Sequence, residues 1–238
     1  MKPWQIRLQR TLVRADAPPV LTRDLLSRFA RTARDGSAIA ASSLTHWVRQ
    51  AVAEERLRPV QRGLWLNGCR ARPGQPADAA AWLRPEAVVS LNTVLGDAGV
   101  LNNPVRTVMA VVPLDAGAPP PKLGRRETRV GAFHFHGIPR RIMEAGVPED
   151  RLEMTATWDH SRATPEKALV DWLYLADSPR SRRTPPPRYD LDLDLLDRPR
   201  LQRLARAGGL AGKVDELLDP NLRPERAFPG AAATTGFR

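Results

Sequence analysis

Two clusters of side chains have the type and spacing to do chemistry. His134 and His136 stand two apart in "VGAFHFHGIP", so on a strand both imidazoles point to one side, where they could share a metal ion. Asp190, Asp192 and Asp194 alternate in "YDLDLDLLD", and on a strand they would align three carboxylates as two-metal nucleotidyl transfer requires. Each pattern lacks a necessary part. Only His160 could add a third imidazole, no Cys or Glu lies nearby at ligand spacing, and Phe133 and Phe135 on the opposite face describe an ordinary half-buried strand. The acidic run follows "DSPRSRRTPPPR", without the Gly-Ser turn that holds a triphosphate in nucleotidyltransferases of that type, so a solvated edge strand or loop is expected. The sequence contains no Ser/His/Asp or Cys/His set, no P-loop and no Gly-rich dinucleotide motif. The single cysteine, Cys69, excludes an intramolecular disulfide and a Cys-rich zinc site. The expectation is a protein that is not an enzyme, with no catalytic residues, metal or cofactor.

Binding offers more. The 238-residue chain carries a formal net charge of +11, and the excess is concentrated: residues 1–70 hold 13 Lys and Arg against 5 Asp and Glu, residues 71–238 hold 24 against 21. A small domain with that imbalance attracts polyanions, and counterion release favours double-stranded nucleic acid. General arginine richness does not account for it, since the remainder shares the composition but not the charge.

The elements that would carry this charge are legible. Trp4, Leu8 and Leu12 recur every four residues in "PWQIRLQRTLVR" and predict a first helix. In "LTRDLLSRFARTA", Thr22 is the N-cap, Leu21 and Leu26 form a hydrophobic staple, and Leu25, Leu26, Phe29 and Ala30 make the buried face. In "SSLTHWVRQAVAEERL", Leu44, Trp47, Val48 and Ala51 face inward while Thr45, His46, Arg49 and Gln50 face out, and Ser42 or Ser43 is expected to cap the helix. Small hydroxyl residues at a helix start, followed by Arg and Gln, suit entry into a major groove. Short apolar strands at 57–60 and 64–66 then flank Gln61-Arg62-Gly63, a tight hairpin. Helices followed by such a hairpin predict a winged helix-turn-helix, with Arg58, Gln61 and Arg62 as wing residues against phosphate or the minor groove.

The expected fold class is α+β, a winged helix-turn-helix over 1–70 and a mixed α/β domain over 80–218. The Gly/Pro/Ala-rich segment 71–79 is expected as a linker and 219–238 as a flexible tail. In the larger part, "RPEAVVSLNTVLGDAGVL" predicts one buried helix starting at Pro85. Strands are expected in "VRTVMAVVP", "VGAFHFHGIP" and "RLEMTATW", and "LDAGAPPPKLGRRE" reads as a long exposed connection. "TPEKALVDWLYLA" predicts a helix capped by Thr164 with Ala168, Leu169, Trp172, Leu173 and Ala176 as its core face, and "RPRLQRLARAGGLAGKVDELL" two more. No apolar run of about 18 residues is present to span a membrane and the N-terminus has no signal-peptide pattern, so a soluble cytoplasmic protein is expected.

The winged helix ending in "RGLWL", then "RPEAVVSLNTVLGDAGVL", "GAFHFHGIP" and "RATPEKALVDWLYL", together resemble in order and spacing the AbiEi family of antitoxins from type IV toxin-antitoxin abortive-infection systems, over most of residues 20–176. The resemblance implies a transcriptional autorepressor that binds repeats in its own promoter DNA, as a monomer or weak dimer. It also implies a C-terminal domain that counteracts a nucleotidyltransferase toxin without a stable complex. On this sequence the DNA-contacting role falls on Ser43, Thr45, His46, Arg49 and Arg62, and antitoxicity on Glu166, Lys167 and Asp171, whose ordinary reading is a solvated helix face. Trp65 stands where family members often show Tyr, and "RTARDGSAIA" is an unusual connection. Two alternatives remain open. One is a stand-alone regulator whose C-terminal domain senses a ligand or dimerises; the other is a metal-dependent nucleotidyltransferase relying on Asp192.

Overall fold

Thr22 ends one strand and starts one helix: its Oγ1 accepts from the Leu25 N–H at 3.1 Å, as the sequence predicts. In the computed structural model, which describes residues 2–103, 106–153, 158–179, 181 and 183–219, the first part runs α1 (Pro3–Leu12), β1 (Val20–Thr22), α2 (Arg23–Ala33), α3 (Ala41–Ala53), β2 (Leu57–Gln61) and β3 (Leu64–Asn67). Strand β1 is absent from the sequence reading; it pairs antiparallel with β3, Val20 opposite Leu66, and completes a sheet of order β1-β3-β2. The hairpin closes through Arg62 and Gly63 with Gln61 opposite Leu64, and Gly63 supplies the positive φ of 79° that the turn requires. Helices α1 to α3 pack Trp4, Leu8, Leu12, Leu26, Ala30, Leu44, Trp47 and Ala51 with Leu21 and Leu57 in one core. Leu25 and Phe29, expected inside, are half-buried.

The sheet has a second buried face. Val20, Val60, Leu64 and Leu66 belong to the core of the remainder, against Ala79, Ala80 and Leu83 and the strands beyond. The segment expected as a linker is accordingly packed: Gly74 lies so close to Pro19 that a Cβ would meet its carbonyl oxygen at 2.4 Å, and its N–H donates to Asn67 O at 2.9 Å. Asn67 is fully buried and its amide donates to Leu12 O and Pro18 O. Arg70 forks onto Asp159. Gly and Pro here make close approach between two packed parts, a role that composition alone does not separate from flexibility.

After a 3-10 turn (Pro76–Ala79) come α4 (Ala80–Leu83), β4 (Val88–Val89), α5 (Leu91–Asp97), β5 (Val108–Leu114), β6 (Gly124–Thr128), β7 (Gly131–Pro139), α6 (Arg140–Met143), α7 (Pro148–Arg151) and α8 (Pro165–Asp177). Two 3-10 turns (Arg188–Asp190 and Leu193–Leu195) lead to α9 (Arg198–Gly208) and α10 (Ala211–Leu218). The second sheet has order β4-β5-β7-β6, with β5 and β7 parallel and the other pairs antiparallel. The fold is α+β.

Two expectations are corrected, for the helix from Pro85 and for the connection before β7. The helix predicted from Pro85 is interrupted: the β-branched pair Val88-Val89 joins the sheet opposite Val111 and Ala110, Glu86 and Leu91 take positive φ, and only Leu91–Asp97 is helical. The exposed connection before β7 contains the edge strand β6. In "RLEMTATW", Arg151 ends a helix and Leu152 bridges Ala163, while residues 154–157 lie outside the described residues. The Asp190-Asp192-Asp194 run is not a strand; Asp192 caps the turn at Leu193–Leu195 through the Asp194 N–H, and Asp194 pairs with Arg198 in solvent. The two C-terminal helices meet at Gly209, whose φ of 72° ends α9. The tail expected to be flexible lies, from residue 220 on, outside the described residues.

Candidate nucleic-acid interface

Helix α3 starts a turn's fraction earlier than its serines suggest. Ala40 is the N-cap and no side chain caps the helix, so neither Ser42 nor Ser43 satisfies the first N–H groups. Uncapped helix N-termini bind anions through those N–H groups and the helix dipole. A hollow of about 260 Å³ opens there, lined by Lys2, Trp4, Gln5, Ser42, Ser43 and His46. Along the same helix His46, Arg49 and Gln50 are exposed, Ser43 and Thr45 are half-buried, and the Thr45 hydroxyl donates to Ala41 O at 2.7 Å, leaving its oxygen as an acceptor. Thus Ser43, Thr45, His46 and Arg49 all keep solvent access on one helix.

Five arginines on α2, α3 and the hairpin are unpaired among the described residues. Arg23, Arg28, Arg31, Arg49 and Arg62 are all exposed and make no ion pair among the described residues. Arg140, in the larger part, instead reaches Glu86, Asp115 and Glu144. Sequence reasoning passed over Lys2, Arg23, Arg28 and Arg31, although the local excess of arginine on α2 was the available signal.

The hairpin is only partly as expected. Arg62 stands exposed at its tip, but Arg58 donates through Nη2 to Gly74 O and Gln61 Oε1 accepts from Arg126 Nη2. The Arg129 N–H donates to Val60 O at 3.1 Å. The larger part covers the side of the hairpin that presents these groups, so Arg58 and Gln61 fasten the wing inward instead of reaching out.

No protein-family model matches the chain, and no curated protein is similar to it above the level of chance. Among solved structures it is similar to the RV2827C protein from Mycobacterium tuberculosis, at 17% identity and a TM-score of 0.51 over 92% of this chain and 81% of that one. The likeness is one of fold.

The antitoxicity candidates are not on a solvated face. Glu166, Lys167 and Asp171 are 3%, 3% and 1% exposed. Glu166 accepts from the Asp197 N–H at 2.8 Å, where α9 begins, and lies 3.4 Å from Arg200. Lys167 donates to one oxygen of Asp171, and the other accepts from the buried Ser90 hydroxyl at 2.8 Å. These groups hold α8 to α9 and to the residue that follows β4, and Lys167 and Asp171 also line a cleft of about 240 Å³. Helix α8 is buried on more sides than its apolar stripe suggests, with Thr164 as its N-cap as predicted.

The metal reading of the histidines also fails on geometry. His134 and His136 do share a side, with rings stacked at 4.2 Å, but His160 is elsewhere, its Nδ1 2.7 Å from Asp78. No trio of potential ligands is assembled among the described residues, and no helix among them is long and apolar enough to cross a membrane.

Proposed function

We propose that residues 1–67 are a winged helix that binds double-stranded DNA, with α3 as the groove-reading helix, and that the chain is an autorepressing antitoxin of the AbiEi type. The observation that carries the DNA reading is an uncapped α3 N-terminus with a hollow beside it lined by Lys2, Ser42, Ser43 and His46, in a part of the chain whose exposed Arg23, Arg28, Arg31, Arg49 and Arg62 make no ion pair among the described residues. Phosphates would sit at the hollow beside Lys2 and on Arg23, Arg28, Arg31 and Arg62. His46, Arg49 and Gln50 would meet base edges. The antitoxin reading rests on the four-segment resemblance, and the larger part would act on a nucleotidyltransferase toxin.

Anisotropy of labelled duplexes tests the first half. The intact protein is titrated with its own upstream DNA and a scrambled duplex of equal length over a salt series. Preference for the upstream sequence that persists at physiological salt is expected. Equal affinity for both duplexes, erased by salt, would remove the repressor reading. For the second half, co-expression with the toxin encoded beside it should restore growth, and unrelieved toxicity would reject it.

A further inference from the structure

A cleft of about 770 Å³ lies between the β7 face that carries the two histidines and the side of α8 that carries Trp172, and Ser181, Arg183 and Thr184 also line it. Its lining includes Asn92, Leu123, His134, His136, Trp172 and Arg183, and contains no aspartate or glutamate among the described residues. Leu123, at 45% exposure, is one of the few large apolar side chains left open to solvent, and it sits on this lining.

Arg183 is the unusual group. Its guanidinium lies 4.3 Å above the Trp172 ring, donates to Asn92 Oδ1 and comes within 3.5 Å of His136 Nε2, while its Nε is buried with no acceptor. No carboxylate among the described residues pairs with it, and burial pulls its pKa down to about 10. A largely buried cation is ordinarily neutralised by a fixed acid, and one held only by an amide, a ring and an imidazole has charge left to be met. The histidines do not meet it. Burial, then each other and Arg183, pushes His136 down to about 3; burial and Arg183, then Arg125, lower His134. Both imidazoles are therefore neutral near pH 7, each with one N–H to donate. A metal cation would have to bind beside this guanidinium with two imidazoles only, so the electrostatics disfavour it.

We propose that this cleft binds a small organic anion carrying an aromatic ring, its acid group held by Arg183 and the imidazole N–H groups and its ring against the apolar wall that ends at Leu123. The volume suits a ligand of that size, and a few convergent polar groups on an apolar lining are what fix orientation in such sites. The acid group is a carboxylate or a phosphate, since either presents oxygens to an arginine. The site stands apart from α3 and does not depend on DNA binding.

The chain has four histidines, so its imidazole carbon–proton NMR signals are few enough to follow individually. The probes are salicylate and adenosine monophosphate, with salicylamide and adenosine as their uncharged counterparts. At least one anion should shift His134 and His136 saturably with a dissociation constant below about 1 mM, about tenfold tighter than its counterpart. Which anion does so distinguishes carboxylate from phosphate. His160, buried against Asp78 and not on the cleft's lining, should stay in place. Arg183→Gln should weaken binding at least about tenfold. Because that change touches a buried group, Leu123→Asp serves as a second variant: it adds an acid at the open rim and should weaken the anion while leaving near-UV circular dichroism unchanged. The proposal is overturned if neither anion shifts the pair, if the uncharged counterpart binds equally, if His160 moves in parallel, or if both variants bind like the parent.

Discussion

Replacing Asp171 by Asn tests whether the ion pair inside α8 is structural. Asp171, Lys167 and Ser90 are 1%, 3% and 0% exposed, so Asp171→Asn leaves an ammonium in the interior without a counter-charge. Removing one member of a buried pair typically costs about 3–5 kcal/mol. Asn keeps one oxygen to accept from Ser90 or Lys167, which places the expected loss near the lower end, about 3 kcal/mol. With a urea slope of about 2–3 kcal/mol/M, the midpoint should fall by about 1–1.5 M. Urea unfolding followed by tryptophan fluorescence is the assay, with Trp172 adjacent as a local reporter. The double change Lys167→Met with Asp171→Leu removes both charges and should recover most or all of the loss, because two apolar groups of similar volume need no pairing. A midpoint within about 0.3 M of the parent for Asp171→Asn, or a double variant weaker than either single one, would refute the reasoning that this charge is held by its partner.

Three further outcomes are expected. Arg62→Ala should weaken binding to all duplexes alike and lower the salt slope by about one, whereas Arg49→Ala should cost about 1–3 kcal/mol on the preferred sequence and little on the scrambled one; anisotropy with both duplexes reads the difference, and equal losses from both changes would contradict the division of roles. Gly74→Ala should destabilise by about 1–3 kcal/mol in thermal unfolding, because its new methyl meets the fixed Pro19 carbonyl. The depressed His136 means that the unfolded chain takes up a proton near pH 6.5 that the folded one refuses until about pH 3. This contribution is complete above pH 6.5 and declines as pH falls between those values. His136→Phe should flatten that part of the stability-against-pH curve, and an NMR titration showing His136 protonated at pH 6 would contradict it.

What the sequence discloses is local. Thr22 and Thr164 are caps because the residues that matter lie within one turn of them, and the inward faces of α1 and α3 follow from spacing alone. Strand β1 has three residues and exists because Leu66, Trp65 and Leu64 arrive opposite it more than forty residues later. Val88 and Val89 fit a helical stripe equally well until β5 offers a ladder. The partners that turn Arg58 and Gln61 inward stand 16 and 65 residues away, beyond any pattern in the hairpin itself. Charges on α8 read as solvent-facing by type; only the elements packed against that helix, carrying Ser90 and Asp197, make them interior. The acid-free surroundings of Arg183 are likewise a property of the assembled cleft, since its own segment is merely basic.

The three-stranded sheet shared by both cores, with Leu21 and Leu57 on one side and Val20, Val60, Leu64 and Leu66 on the other, makes the two parts thermodynamically inseparable. Melting either part strips apolar cover from the same strands, so calorimetry of the whole chain should give one transition instead of two. Occupancy at the basic end would then be felt as added stability at the other end, and a ligand in the cleft would in the same way steady the hairpin, without any change of shape in either direction. A fragment beginning after residue 70 would bear an uncovered oily stripe where the sheet used to lie, and its behaviour in solution would report on that wound and not on the work of the larger part.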